Sequence, residues 1–333
     1  MLAGRLHVRS GEFAVEEVPV PEPGAGEVLV QVRAAGVCMS DVHLIDGTLT
    51  PSRLPEEAVT LGHEVAGEVA VLGEGVTRWA TGQRVLLHAG EKRDGVPWTR
   101  GVDCDGGWAE YALATEDTVI PVPDDLPLEQ AAIIPDAVST PWAAITRTAR
   151  VVAGRPVGVW GVGGLGTHAV QLLRLVGAVP LLAVDPLPEA RARSLEFGAD
   201  AAFDPADPQL AEQLRAETGG TGLDVAFDFA GVPTFPDQAV RCLGPGGQLI
   251  LVGLTGRPLT LTESTAFSYF RQQARGHFGS TEGDVRRLLT LVRKNRLDLS
   301  RSISDVLPLS EAAEAVHRLA SGAGGTVRLI LRP

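Results

Sequence analysis

Residues 161–166 read Gly161-Val162-Gly163-Gly164-Leu165-Gly166, set between an apolar run at 156–160 and a helix-patterned run at 164–176. Three glycines at this spacing, with a strand before and a helix after, leave few folds open. Gly161 permits the tight turn, Gly163 lets backbone N–H groups approach a pyrophosphate, and Gly166 lets helix and strand pack closely. Gly164 and Leu165 begin the helix, whose N-terminus faces the anion. Asp185 ends the next expected strand, 181–185, where a carboxylate accepts hydrogen bonds from adenosine ribose hydroxyls. A 2′-phosphate there would meet a like charge, a repulsion of roughly 1–4 kcal/mol at about 4 Å. Pro186, Leu187 and Pro188 follow, with no Arg directly after the carboxylate, so NAD is expected over NADP. The bland alternatives are a glycine-rich turn and a strand-end Asp without a ligand.

The surrounding pattern agrees. A chain of 333 residues is too long for one core of ordinary size, so two domains are expected. Residues 1–125 read as β-rich: 27–34, 64–72 and 84–88 are short, Val-rich and bounded by Gly or Pro. The stretch 90–107 is polar and Gly-rich and reads as a loop or lobe. From about residue 127, helices alternate with short buried strands: a largely helical 128–147 interrupted by Pro135 and Pro141, then strand, helix and strand through 252. Such alternation implies a parallel sheet with crossover helices. Helices at 283–294 and 310–321 and a strand at 326–331 close the chain.

Net charge is −12, which disfavours nucleic-acid and anionic-membrane partners. The start, MLAGRLHVRSGEF, has no apolar core of a signal peptide, and no run has the roughly 18 apolar residues of a spanning helix. Cys38, Cys104 and Cys242 are too scattered for a disulfide framework, so a reducing cytoplasm is expected.

The chemistry points to two short segments, Cys38-Met39-Ser40-Asp41-Val42-His43 and Gly62-His63-Glu64-Val65-Ala66-Gly67. A thiolate and an imidazole suit a zinc site that keeps one position open for substrate. Singly, Cys38 is explained as a small buried hydrophobe and His63 as a structural histidine; paired upstream of a nucleotide fold, they point to a metal.

With these residues in view, the chain resembles the zinc-containing alcohol dehydrogenases of the medium-chain dehydrogenase/reductase superfamily. The resemblance runs through PEPGAGEVLVQVRAAGVC, the GHE box, DGGWAEYA, the glycine-rich turn and the closing GTVRLILRP. It implies an α/β protein: a β-rich GroES-like catalytic domain at 1–137 and 278–333, and a Rossmann doubly wound domain binding NAD at 138–277. By position it implies Cys38 and His63 as catalytic zinc ligands and Ser40 as the hydroxyl on the substrate oxygen. His43 would end the proton relay, after Ser40 and the nicotinamide ribose. Asp41 would orient a ligating imidazole, and Glu64 would be the acidic neighbour of the metal. Thr140 would touch the nicotinamide, and Arg328 the pyrophosphate. The implied partners are a small alcohol or carbonyl and further copies of the chain, as dimer or tetramer.

Three departures matter. Where the family commonly has a third cysteine ligand, AAIIPDAVSTPWAAI offers Asp136, a legitimate zinc ligand of the same formal charge. The alternative is that Asp136 is a polar neighbour of an empty site. The stretch that would carry four structural-zinc cysteines has Cys104 alone, so one zinc per chain is expected. Met39 stands where some relatives have a cation. The expected function is zinc-dependent hydride transfer between an alcohol and NAD. A zinc-free quinone or enone reductase of the same superfamily and a non-catalytic nucleotide-binding protein remain the rivals at this point.

Overall fold

The structure is a computed structural model that describes residues 1–51, 53, 57–93, 95–322 and 325–333. The chain divides into two compact units, Met1–Ser139 with Ser280–Pro333, and Thr140–Gly279.

In the first unit the long strand Glu27–Val37 is the organising element. It is paired with Val65–Leu72, Tyr111–Thr115 and the C-terminal strand Arg328–Arg332. Arg84–Leu87, Val119–Pro121 and Ile303–Pro308 complete the sheet. A smaller sheet of Glu12–Glu17, Leu2–His7 and Ala58–Thr60 stands beside it. Val28, Val30, Val32, Val65, Val85, Leu87 and Leu329 form the core, which β-branched side chains fill well on a pleated surface. Trp108 is ordinary core: it is fully buried, edge-on to Phe13, and its indole N–H donates to the Gly36 carbonyl at 3.0 Å.

The region read as a loop at 90–107 contains a hairpin, Gly90–Arg93 with Val96–Thr99; Asp94 lies outside the described residues. The helix Met39–Ile45 is also absent from the sequence reading, because seven residues are too few for a helical period to stand out.

The helical stretch after 127 is broken as its prolines require. Helix Leu128–Ala132 passes into a π-type turn at Ile134–Val138, then helix Ser139–Ala143 and a second π-type turn at Ala144–Ala149. Pro135 and Pro141 lack the N–H of a regular turn and crowd the turn before them, and wide turns of this sort recur at functional sites. The first of them carries Asp136.

The second unit is a six-stranded parallel sheet in the order Ala201–Phe203, Leu181–Val184, Val157–Trp160, Leu223–Asp228, Leu243–Leu251, Gln273–Gly276. Helices Gly164–Val176, Pro188–Glu196, Leu210–Glu217 and Phe235–Cys242 lie between its strands in sequence. This strand order is that of a Rossmann sheet, whose ligands bind beyond the carboxyl ends of the strands. The edge strands are short or fully exposed, which is why alternation of apolar residues did not reveal them.

Candidate active site

Cys38 follows the strand Glu27–Val37 and precedes the helix Met39–Ile45. The helix starts here because the Asp41 carboxylate reaches back to accept the Cys38 backbone N–H at 2.8 Å. His63 comes from the turn before strand Val65–Leu72. That turn needs glycine: Gly62 has φ +93°, and a side chain on it would collide with the Trp108 indole.

Asp136 meets both. Its Oδ2 lies 3.4 Å from Cys38 Sγ and 3.3 Å from His63 Nε2. Among the described residues, Cys38, His63 and Asp136 form a group that could hold a metal ion, their donor atoms all within 4.8 Å of one another. Sulfur, nitrogen and oxygen donors in this number fit a zinc site with one position left for substrate. His63 Nδ1 is buried without a hydrogen-bond partner, its nearest carboxylate oxygen being Asp41 Oδ1 at 3.7 Å. Nε2 is therefore the nitrogen turned to the other two donors. Burial opposes charge on His63, but Asp41 and Asp136 outweigh it and hold the pKa well above the ordinary value. The pocket favours a cation there.

Beneath these donors lies a second layer of charge. Glu64 is fully buried; its Oε1 accepts from the Ala137 N–H at 2.8 Å and from Arg328 Nη2 at 2.7 Å. Burial raises the Glu64 pKa to about 7, with the Arg328 cation pulling the other way. Glu64 Oε2 is buried and unpartnered, in space left by Gly36, where a Cβ would collide with it. Arg328, expected at a pyrophosphate, is paired with Glu64, with Nη2 also 3.4 Å from Asp136 Oδ2 and Nη1 donating to the Val37 carbonyl at 3.3 Å. Burial works against its charge; Glu64, Cys38 and Asp136 outweigh it and raise its pKa.

Ser40 Oγ lies 3.7 Å from Cys38 Sγ. His43 follows one turn later on the same helix, with Nδ1 3.7 Å from Asp46 Oδ2. The structure thus gathers Cys38, Ser40, Asp41, His63, Glu64, Asp136 and Arg328 into one network.

The second unit holds the glycine-rich turn. Gly161 has φ +83°, and a Cβ on it would lie 2.7 Å from Ala230 Cβ. A Cβ on Gly166 would collide with the Gly161 carbonyl, while one on Gly163 would meet no atom within 4 Å. Gly164 and Leu165 open the helix Gly164–Val176. Asp185 Oδ2 accepts the Val162 N–H at 2.7 Å, and Oδ1 accepts the Leu187 N–H at 2.9 Å. Each oxygen keeps lone pairs for a further donor. Thr140 is buried, its carbonyl accepting from His277 Nε2 at 3.1 Å.

Sequence reasoning missed Gly36 and the arginines of helix Pro188–Glu196. A glycine inside a strand is the mark of close approach and would have flagged Gly36. Arg191 folds back to donate to the Asp185 carbonyl at 2.7 Å, and Arg193 reaches the Val162 carbonyl at 2.8 Å. No adjacency in sequence signals either contact.

Residues 24–124 match the alcohol dehydrogenase GroES-like domain, and residues 164–294 match the zinc-binding dehydrogenase domain. The chain is 31% identical to an NDMA-dependent alcohol dehydrogenase of Amycolatopsis methanolica, over 96% of each. It superposes on the alcohol dehydrogenase of Aeropyrum pernix with a TM-score of 0.90, 29% identity and 100% of both chains covered. A zinc-binding dehydrogenase of Sinorhizobium meliloti 1021, solved bound to NADP, gives a TM-score of 0.90 at 28% identity over 100% of this chain and 99% of the other.

Proposed function

The chain belongs to the alcohol dehydrogenase family of the medium-chain dehydrogenase/reductase superfamily, and on that premise we propose that it oxidises a small alcohol with NAD at one zinc site per chain. Membership makes it an NAD(P)-dependent oxidoreductase. The observation that carries the finer reading is the convergence of Cys38, His63 and Asp136 within 4.8 Å.

Cys38, His63 and Asp136 would hold zinc, which supplies Lewis acidity toward an alcohol oxygen. The nicotinamide supplies the hydride acceptor, and its organic chemistry is its own. Asp41, whose Oδ1 stands 3.7 Å from His63 Nδ1, would orient that ring once the metal is held, and Glu64 fixes the backbone turn of Asp136 through the Ala137 N–H. Ser40 would stand at the alcohol oxygen as the inner end of a proton relay and His43, one turn along the helix, at its outer end, with the nicotinamide ribose hydroxyls supplying the link between them. Asp185 would accept hydrogen bonds from the ribose hydroxyls and disfavour a 2′-phosphate, and Thr140 would support the nicotinamide ring.

Exposure at one sheet edge supports a homo-oligomer, dimer or tetramer. Strand Gln273–Gly276 is exposed throughout and lies between Tyr269, 79% exposed, and Phe278, 70% exposed. An open edge with aromatic flanks is a template for pairing with another chain. No helix among the described residues is long and apolar enough to cross a membrane.

The test is elemental analysis with a kinetic screen of aliphatic, aromatic and polyol substrates. The reading expects about one zinc per chain and NADH formation, with NAD used better than NADP. Metal-free protein that reduces quinones or enones would overturn it.

A further inference from the structure

Val162, the second residue of the glycine-rich turn, is gripped at both ends of its backbone. Its N–H donates to Asp185 Oδ2 at 2.7 Å. Its carbonyl accepts from Arg193 Nη2 at 2.8 Å and from the Thr167 hydroxyl at 2.9 Å. Arg193 Nε lies 3.4 Å from the same hydroxyl. The guanidinium thus ties helix Pro188–Glu196 to helix Gly164–Val176 and to the turn between strand and helix. Burial pulls the Arg193 pKa down, while Asp185, Glu189 and Glu196 act the other way; an arginine stays charged at neutral pH throughout.

Peptide planarity turns this into a statement about ligand binding. The Val162 carbonyl and the Gly163 N–H belong to one planar trans unit and point in opposite directions. Fixing the carbonyl fixes the N–H. Gly163 has no side chain to restrain its dihedrals, and nothing stands within 4 Å of where a Cβ would be. Its orientation therefore rests on the two donors to the Val162 carbonyl, Arg193 and the Thr167 hydroxyl, and Arg193 Nε also reaches that hydroxyl. Asp185 fixes the preceding unit, between Gly161 and Val162, in the same way. Asp185 on one side, and Arg193 with Thr167 on the other, therefore hold consecutive peptides of the turn.

We propose that Arg193 is a positioning residue of the dinucleotide site: by holding the Val162 carbonyl it aims the Gly163 N–H at the pyrophosphate. The inference rests on the nucleotide reading given above. Arg193 acts through the Val162 carbonyl, so its effect falls on phosphate recognition and spares the adenosine end.

Binding measurements on the full chain separate this from a structural role. NADH affinity is read by fluorescence titration, and adenosine and ADP-ribose are read by competition, for wild type, Arg193→Met, Arg193→Lys and Asp185→Asn. Arg193→Met is expected to weaken ADP-ribose about tenfold, the loss of one charge-assisted hydrogen bond, and adenosine less than about twofold. Asp185→Asn weakens both. Arg193→Lys keeps the charge but lacks the planar fork, so it recovers only part of the loss; if the Met variant does not fold, the Lys variant carries the test with the same selective loss. Equal losses for adenosine and ADP-ribose, or no loss for either, would overturn the positioning role. A wild type that binds neither would overturn the nucleotide reading beneath it.

Discussion

Asp136 Oδ2 stands 3.3 Å from His63 Nε2, and the same oxygen is 3.4 Å from Cys38 Sγ. One carboxylate oxygen therefore stands where a third donor would, and the proposed metal site depends on it. Carboxylate oxygen is harder than thiolate and a weaker match for zinc. Asp136→Ala should lose both zinc and activity. Asp136→Cys should keep zinc, and hold it against chelators longer than the wild type. Elemental analysis after dialysis against chelator reads both. Full zinc occupancy in Asp136→Ala would exclude Asp136 as a ligand and turn attention to Glu64, whose Oε2 is buried without a partner.

The relay makes a separate claim. His43 is half-buried in the last turn of a short helix, its side chain 18% exposed and its Nδ1 buried without a hydrogen-bond partner. His43→Gln should slow alcohol oxidation most at low pH, where solvent base is scarce, while zinc stays bound. A positioned base contributes about 10²–10⁴-fold, and water can bypass the outer end of a proton relay, so the low end is expected. A pH–rate profile identical to wild type would remove His43 from the mechanism.

Much of this was legible in the chain itself, and the limits have physical causes. The turn at 161–166 fixes its fold because three glycines at that spacing have few other uses. Cys38, His63 and Asp136 were identifiable by type and family position, but their convergence depends on a proline-broken helix whose π-type turn no periodicity reveals. Arg328 shows the opposite limit. Its position suggested a pyrophosphate contact, and its burial beside Glu64 appears only when the C-terminal strand Arg328–Arg332 pairs with Glu27–Val37. Arg193 was invisible because long side chains act where they fold back, not where they fall in sequence.

A buried ion pair joins the hairpin strand Gly90–Arg93 to the residue that follows its second strand, Val96–Thr99. Arg100 Nη2 and Glu91 Oε2 are 3.5 Å apart, and each side chain is only 2% exposed. Removing one partner leaves a buried charge uncompensated, a loss of about 3–5 kcal/mol, whereas replacing both with apolar residues of similar volume is often neutral. Glu91→Ala should therefore lower the thermal midpoint markedly, and Glu91→Leu with Arg100→Met should recover most of it. A double variant no better than the single would show that the pair is not the reason.

Asp228 supplies a pH dependence remote in sequence from Cys38, His63 and Asp136. It ends the strand Leu223–Asp228 at 2% exposure, with Oδ1 accepting the Ala230 and Gly231 N–H groups at 2.9 and 3.1 Å. Burial raises its pKa from 3.8 to about 6, with those two hydrogen bonds acting against the shift. Between these values the folded protein keeps a proton that the unfolded chain gives up. Stability from this group therefore falls as pH rises through the window, and the loss is complete above about pH 6, on the order of 1–3 kcal/mol. Asp228→Asn keeps an acceptor oxygen for both N–H groups and has no charge to bury. Its urea midpoint should exceed that of the wild type by more at about pH 8 than at about pH 5. A gap of the same size at both values would mean that the Asp228 carboxylate does not titrate on unfolding, and that its burial is compensated by contacts other than these two.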